Sequence, residues 1–290
     1  MPRVGFLMFA PTVEPFLTYF RQGLRELGYV EGKNIQLELR WTDKPELLAE
    51  YAAELVRQKV RVIAAARGVA VEAAKLATKE IPIVITQVPD AVATGLVASL
   101  AKPGGNVTGV QVNTAETAGK TLELLREIMP RARRVASLVD VTSPITGVLT
   151  KEVERVGKLL GMEIQSIAVK GAADANAALP ALSKMRPDAA IVQPSLGMPA
   201  ADVVLKQRIA PVSPSSALNA GCVMTYSANL AEIYRTVAGY VDRILKGAKP
   251  ADLPVQQPTK FELVINQKVA RALAINIPQS VLVRADKVIE

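Results

Sequence analysis

The stretch that begins at Ile81 restricts the possible folds of this chain more than any other. Two short runs of apolar, often β-branched residues at 83–86 and 107–112 are typical of strands that helices cover on both faces. Between them lie the loop 87–90, a segment at 91–101 that the pattern predicts as a helix, and a Pro-Gly-Gly-Asn turn. We therefore predict a strand, loop, helix and strand with a right-handed crossover. The loop then lies at the carboxyl end of the first strand, where such sheets bind ligands.

The same alternation of apolar runs and helical patterns extends along the chain in two series of similar length. Predicted strands at 4–9, 35–41 and 60–66 precede the central stretch, and strands at 135–139, 163–169, 189–192, 211–212 and 223–226 follow it. Because a domain typically has about 100–200 residues, a chain of 290 residues is long enough for two of them. We expect an α/β protein with two doubly wound parallel-sheet lobes, whose strand-end loops surround a shared cleft.

Short polar residues and glycines at the ends of the helical patterns predict where several helices begin and end. An Asp or Asn can bond the free N–H groups of a first turn, most clearly with Glu three residues later as at Asp43 and Asn113, and Gly suits the position after a last turn. These signals predict helix starts at Asp43, Asn113, Asp174 and Asn229, and helix ends at Gly28 and Gly161.

The composition excludes several classes of function. The chain has no histidine and a single cysteine, Cys222, which excludes Ser-His-Asp and Cys-His nucleophiles, an intrachain disulfide and the common zinc sites. A cofactor-independent racemase stays as a minor alternative, although that chemistry often uses two cysteines. The net charge is +8, but the basic residues are scattered and aromatic residues are only 4% of the chain, which disfavours nucleic acid as a partner. No Gly-rich phosphate loop follows a strand, so we expect no cofactor.

The sequence also limits the relation of the protein to a membrane. No apolar run approaches the ~20 residues of a membrane span. Met1-Pro2-Arg3 leads directly into the first predicted strand, with no room for a signal peptide. We expect either a cytosolic protein or a mature chain from which a leader has been removed.

Five blocks of sequence, in order over almost the whole chain, carry a family resemblance. They are FRQGLRELGYVEGKN at 20–34, IPIV with DAVATGLVASLAKPGGNVTG at 81–109, MTYSANLAEIYR at 224–235, ILKGAKPADLPVQQPTKFELVIN at 244–266 and IPQSVLVRADKVIE at 277–290. Together they resemble the ABC-transporter substrate-binding protein family that includes tryptophan- and tyrosine-type binding proteins. The chain departs from the usual pattern of that family at Ala91, where Pro is usual, and at Arg67, where the loop is often Gly-rich.

The resemblance implies a periplasmic-binding-protein type I fold without catalytic activity. Lobe one would comprise 1–113 and 228–257, lobe two would comprise 114–227 and 258–290, and crossing segments would form a hinge. The expected function is to trap a small amino-acid-like or aromatic carboxylate ligand in the cleft for an ABC-transporter membrane permease. We expect a monomer in the periplasm or anchored by lipid outside the inner membrane. A ligand-sensing domain of the same fold, without a transporter, is the alternative.

A ligand with a carboxylate needs N–H groups and hydroxyls at the strand ends. The candidates from lobe one are Thr12, Arg67, Gly68, Gln87 and Asp90, and those from lobe two are Asp140, Thr142, Ser143, Ser195, Ser215, Ser216 and Tyr226.

Each candidate also has a purely structural interpretation. Thr12 and Asp90 are suitable helix caps, although Asp90 could also contact a ligand ammonium. Arg67 is either a solvated loop residue or a carboxylate clamp. The serines suit turns and caps, and Tyr226, which ends a predicted strand, could pack in the core or serve as a lid.

Overall fold

A computed structural model describes residues 1–143 and 145–290 of the chain. The described residues divide into two compact units. Unit 1 comprises Met1–Val112 and Asn229–Lys260, and unit 2 comprises Asn113–Ala228 and Phe261–Glu290. The loop that we predicted at 140–144 ends at Pro144, which lies outside the described residues. Among the described residues, no helix is both long and apolar enough to cross a membrane.

Unit 1 is a parallel sheet covered by helices. Its strands lie side by side in the order β2-β1-β3-β4-β5, and every neighbouring pair is parallel. The strands are β1 (Arg3–Phe9), β2 (Gln36–Thr42), β3 (Val62–Ala66), β4 (Ile83–Val88) and β5 (Val107–Gln111). The helices are α1 (Phe16–Glu26), α2 (Leu48–Arg57), α3 (Gly68–Ala77) and, from the later part of the chain, α8 (Leu230–Leu245).

The two faces of this sheet follow from the alternation of side chains along a strand. Leu7, Ile63 and Ile85 belong to the core cluster that α2 and α3 cover. Phe6, one residue from Leu7, faces the opposite way, where its ring lies 5.4 Å from that of Phe20 in α1. Because successive side chains point to opposite faces, strands that are buried on both faces have to be apolar throughout. That is the pattern from which we predicted them.

The helix predicted at 91–101 is absent, and this prediction is wrong. The segment forms turns instead, because Gly95 adopts a left-handed conformation with φ +67° and its carbonyl accepts a hydrogen bond from Lys75 Nζ at 2.5 Å. Leu96 and Val97 are nevertheless buried in the core cluster that includes α3. The apolar residues therefore predicted burial correctly, but not the backbone conformation.

Unit 2 contains a second sheet, in the order β12-β11-β10-β9-β8-β6-β7. It is parallel from β10 to β7, whereas β11 runs antiparallel to β10. Its strands are β6 (Arg134–Asp140), β7 (Glu163–Val169), β8 (Ala189–Val192), β9 (Ala210–Ser213), β10 (Met224–Ala228), β11 (Phe261–Asn266) and β12 (Lys287–Ile289). Its helices are α4 (Thr114–Ile128), α5 (Thr146–Leu159), α6 (Leu179–Met185), α7 (Gly197–Lys206), α9 (Gln267–Ala272) and α10 (Gln279–Leu282). The predicted α/β class with two parallel-sheet lobes is confirmed.

The helix ends that we predicted from asparagines and glycines are confirmed. The Asn113 side chain accepts a hydrogen bond from the Glu116 N–H, and Asn229 does the same for α8. Gly28 follows α1 at φ +85°, where its N–H bonds the Arg25 carbonyl as a left-handed residue after a helix does.

Both aspartate starts are wrong. Asp43 does not cap a helix, since a short turn at Pro45–Leu47 precedes α2 and Thr42 accepts from the Lys44 N–H instead. Asp174 lies inside the irregular segment Ala172–Ala178, and α6 begins only after it, with a proline in its first turn. Aspartate favours turns as well as helix starts, so the residue alone does not distinguish them.

Candidate functional site

The carboxyl ends of β3 and β4 in unit 1 share an unusual backbone conformation. Arg67, directly after β3, has φ +73°, and Gln87, near the end of β4, has φ +56°. Residues other than glycine rarely adopt positive φ, and each such residue costs about 1–3 kcal/mol unless its surroundings impose it. Because β3 and β4 are neighbours, two of the predicted site residues are held in strained conformations at the same edge of one sheet. Strained residues of this kind concentrate at binding sites.

An extra residue in β4 produces the conformation of Gln87. In the pairing of β4 with β5, Ile85 lies opposite Gly109 and Val88 lies opposite Gln111, so Thr86 and Gln87 together oppose Val110. Such a bulge bends a strand and re-aims a side chain. Gln111 then fixes the loop that follows, because its side-chain Oε1 accepts a hydrogen bond of 3.0 Å from the Ala91 N–H.

Tyr234 of α8 holds the Gln87 side chain. Its ring is completely buried and lies near those of Phe6 and Phe16. Its hydroxyl accepts a 2.8 Å hydrogen bond from Gln87 Nε2. Burial raises the pKa of Tyr234 far above its ordinary value, against the opposing effects of the Gln87 hydrogen bond and the positive charge of Arg67. The Tyr234 hydroxyl is therefore neutral. Tyr234 was not among the candidates that the sequence identified.

Arg67 is partly buried beside this hydroxyl. Burial lowers the pKa of its guanidinium, although the neighbouring Tyr234 acts in the opposite direction. Among the described residues, no carboxylate forms an ion pair with Arg67. Gly68, the next residue, faces open space, since a Cβ placed there would meet no atom within 4 Å. The strand end thus combines a cation that has no ion-pair partner among the described residues with a glycine whose Cβ position is unobstructed.

The other two candidates of unit 1 make local bonds. Asp90 Oδ1 accepts from the N–H groups of Val92 at 3.1 Å and Ala93 at 2.9 Å, so it stabilises the turn that replaces the predicted helix. Thr12 is exposed, and its hydroxyl accepts from the Glu14 N–H at 3.3 Å. Their structural roles are therefore visible, and ligand contact stays a prediction for both.

Asp140, the last residue of β6, and Gln193, directly after β8, form the corresponding strand end of unit 2. Asp140 is buried, and its Oδ1 accepts from Thr142 N at 3.0 Å, Thr142 Oγ1 at 2.6 Å and Gly171 N at 3.2 Å. Gln193, which sequence reasoning missed, accepts from the Asp140 N–H at 3.0 Å through Oε1. Its Nε2 is buried with no hydrogen-bond partner in the described structure. A polar residue directly after the apolar run of β8 was the signal that could have identified it.

The remaining candidates of unit 2 lie in turns or in the sheet. Ser143 follows Asp140 and donates its N–H to the Asp140 carbonyl. Ser195 is exposed in the turn Pro194–Leu196, and Ser215 caps the turn Ser216–Leu218 that contains Ser216.

We predicted that Tyr226 ends its strand. This prediction is wrong, because β10 continues to Ala228. Its ring stacks on that of Phe261 with centroids 5.5 Å apart, and its pKa is raised mainly by burial. These contacts favour the packing interpretation.

The described residues show neither a metal-binding cluster nor an accessible cysteine. Within the described part of the chain, no group of three or more Cys, Asp or Glu side chains could hold a metal ion. Cys222 is completely buried, and burial raises the pKa of its thiol far above the ordinary value. The described strand ends offer hydrogen-bond donors and a cation without an ion-pair partner, groups that can bind a polar or anionic molecule.

Comparison with known proteins agrees with this chemistry. The family model described as ABC transporter substrate binding protein matches residues 10–289. The chain belongs to this family. The family binds solutes and is not enzymatic, so the expected absence of catalysis is confirmed and the racemase alternative is excluded.

Three relatives illustrate the similarity. A tyrosine-binding protein of Clostridioides difficile is 26% identical over 273 residues, which are 91% of this chain and 77% of that protein. The crystal structure of a conserved domain protein from Vibrio cholerae is 26% identical, with a TM-score of 0.88 and 99% coverage of both chains. An ABC domain from Streptococcus pneumoniae in complex with L-Trp shares the fold at 23% identity, with a TM-score of 0.90 and 99% coverage of both chains.

Proposed function

We propose that this protein is the solute-binding component of an ABC importer and that it binds a small amino-acid-like or aromatic carboxylate solute. The observation that carries the proposal is the family match, which spans residues 10–289. The bonded pair of Gln87 and Tyr234, with Arg67 beside it, supports the assignment of the binding site to the strand ends of unit 1. Relatives that bind tyrosine or tryptophan support the choice of ligand class.

The two units would act as the two lobes of the binding protein. The chain passes from one unit to the other after Val112, after Ala228 and after Lys260, and we propose these three crossings as the hinge. Closure on a ligand would present the bound form to a membrane permease on the outer side of the cytoplasmic membrane, with the protein acting as a monomer. Hinge closure around a solute is a common way to convert binding into a signal for a partner.

A thermal-shift screen tests the proposed function. L-tyrosine, L-tryptophan, aromatic carboxylic acids and other small carboxylates would each be added to the purified protein. A ligand that binds only the folded state stabilises it by about 2.7 kcal/mol at a concentration 100-fold above its dissociation constant. We expect at least one compound to raise the melting temperature with a saturable dose dependence. A panel in which no compound does so contradicts the proposed ligand class.

A further inference from the structure

Arg67 differs from the other described arginines that are removed from solvent. Arg40 is also partly buried, and its Nε lies 2.5 Å from Oε2 of Glu54. Arg126 donates to the carbonyls of Pro130 at 2.8 Å and Ala132 at 3.0 Å. Arg67 makes neither kind of contact with the described residues, although burial is the main influence on its pKa.

An arginine in this state requires an explanation. Its guanidinium stays protonated in proteins, so a partly desolvated charge persists, and burial of a charge without a partner is unfavourable. Removing the charge from water is offset only by an opposite charge with good geometry. The described residues do not supply one. The side chain is only partly buried, so a second molecule can supply the opposite charge.

The neighbouring groups are arranged to favour an anion. Tyr234 already accepts a hydrogen bond from Gln87, and its neutral hydroxyl provides no negative charge. The nearest acid along β4 is Asp90, whose Oδ1 is occupied by two backbone N–H groups. The planar guanidinium matches a carboxylate with two parallel hydrogen bonds, which a lysine or a hydroxyl cannot do.

We propose that Arg67 is the carboxylate-binding residue of unit 1, so that the solute must carry a free carboxylate. This inference rests on the proposed function of solute binding and deepens it. Tyr234 is a positioning residue, because its hydroxyl accepts the hydrogen bond that fixes the Gln87 side chain.

The test measures coupling between Arg67 and the carboxylate of the ligand. Calorimetric titrations would compare L-tyrosine with L-tyrosinamide and L-tryptophan with L-tryptophanamide, on wild type and on Arg67→Met. For wild type we expect the acid to bind about 30-fold or more tightly than the amide, since loss of one partner of a desolvated charge pair has an effect of this order. For Arg67→Met we expect the ratio to fall close to one. A purely structural role would weaken acid and amide alike.

Two controls separate this coupling from general damage. Arg61→Met removes an exposed arginine that precedes β3, the same strand, and should keep the wild-type ratio. Arg67→Lys keeps the charge but not the planar fork, and should give an intermediate ratio. If Arg67→Met keeps the wild-type ratio, the inference is overturned while solute binding stands.

A second measurement does not depend on the identity of the natural solute or on the folding of Arg67→Met. In the wild-type protein, the Arg67 Nε–Hε signal would be followed by NMR during titration with sodium benzoate and, separately, with benzamide. We expect a saturable shift with benzoate only. No shift with benzoate, or equal shifts with both, overturns the carboxylate role of Arg67. Failure of every compound in the thermal-shift screen would instead count against the proposed function.

Discussion

Replacement of Gly109 by alanine tests the contact on which the site of unit 1 depends. Gly109 of β5 has φ +131°, a conformation that residues with a Cβ rarely adopt. A Cβ built there would lie 2.4 Å from the carbonyl oxygen of Ile85 and 2.6 Å from its nitrogen. Both are backbone atoms of the neighbouring strand β4, so no side-chain rotation can relieve the overlap.

The cost has two parts. The positive φ contributes about 1–3 kcal/mol. Relief of the overlap requires β4 and β5 to separate locally, and each ladder hydrogen bond lost contributes about 1 kcal/mol. We therefore expect Gly109→Ala to lower the free energy of unfolding of unit 1 by about 3–5 kcal/mol. At about 2–4 °C per kcal/mol for a domain of this size, the melting temperature should fall by about 10 °C.

Thermal and urea unfolding, followed by circular dichroism, would measure the effect against Gly105→Ala. Gly105 lies four residues earlier, has no positive φ, and a Cβ there would meet nothing within 4 Å. That control should change stability by no more than about 0.5 kcal/mol. If Gly109→Ala is within about 1 kcal/mol of wild type, the close approach of β4 and β5 is wrong. The register of β4 and β5 next to this glycine, which includes the bulge at Gln87, would then also be wrong.

Three further predictions concern the site and the core. Tyr234→Phe keeps the buried ring but removes the acceptor of Gln87, so unfolding measurements should show a loss of about 1 kcal/mol, against about 3–5 kcal/mol for Tyr234→Ala. Equal losses would contradict this division between hydroxyl and ring. Gly68→Leu should leave the melting temperature of the free protein nearly unchanged, because the new side chain fills space that the protein leaves open. Calorimetry should nevertheless show loss of ligand binding, with Gly68→Ala as the matched control. Cys222 should react with a thiol reagent at pH 8 only after denaturation, since burial raises its pKa and blocks access; fast reaction of the folded protein would refute its buried position.

The sequence predicted those parts of the fold that depend on local pattern. Strands buried on both faces are continuous apolar runs, and Asn113 and Asn229 have a Glu three residues later that completes the cap. The segment 91–101 was predicted wrongly because apolar spacing reports burial and not the left-handed conformation of Gly95, whose carbonyl accepts a hydrogen bond from Lys75, 20 residues away. Local pattern does not contain that contact.

The candidate site divides in the same way. Strand ends can be located from the sequence, so Arg67 and Gln87 could be named as candidates, although their contact with a ligand stays a prediction. Tyr234 could not be found, because it lies 147 residues from Gln87 and its helix joins unit 1 only in the folded chain. The left-handed conformation of Gln87 likewise occurs at a bulge in the pairing of β4 with β5, a contact between strands that local pattern does not contain.

The strand ends of the two units offer different chemistry despite their similar topology. In unit 1 a cation lacks a counter-charge, whereas in unit 2 the carboxylate of Asp140 already accepts three hydrogen bonds at one oxygen. At this strand end of unit 2, the buried Nε2 of Gln193 is a neutral donor without a hydrogen-bond partner among the described residues. A cation without an anion is complemented by a negatively charged group, whereas a neutral donor needs only an acceptor. If Arg67 binds a carboxylate as proposed, that binding should therefore be sensitive to ionic strength, whereas any hydrogen bond that Gln193 donates should depend on geometry and respond little to salt.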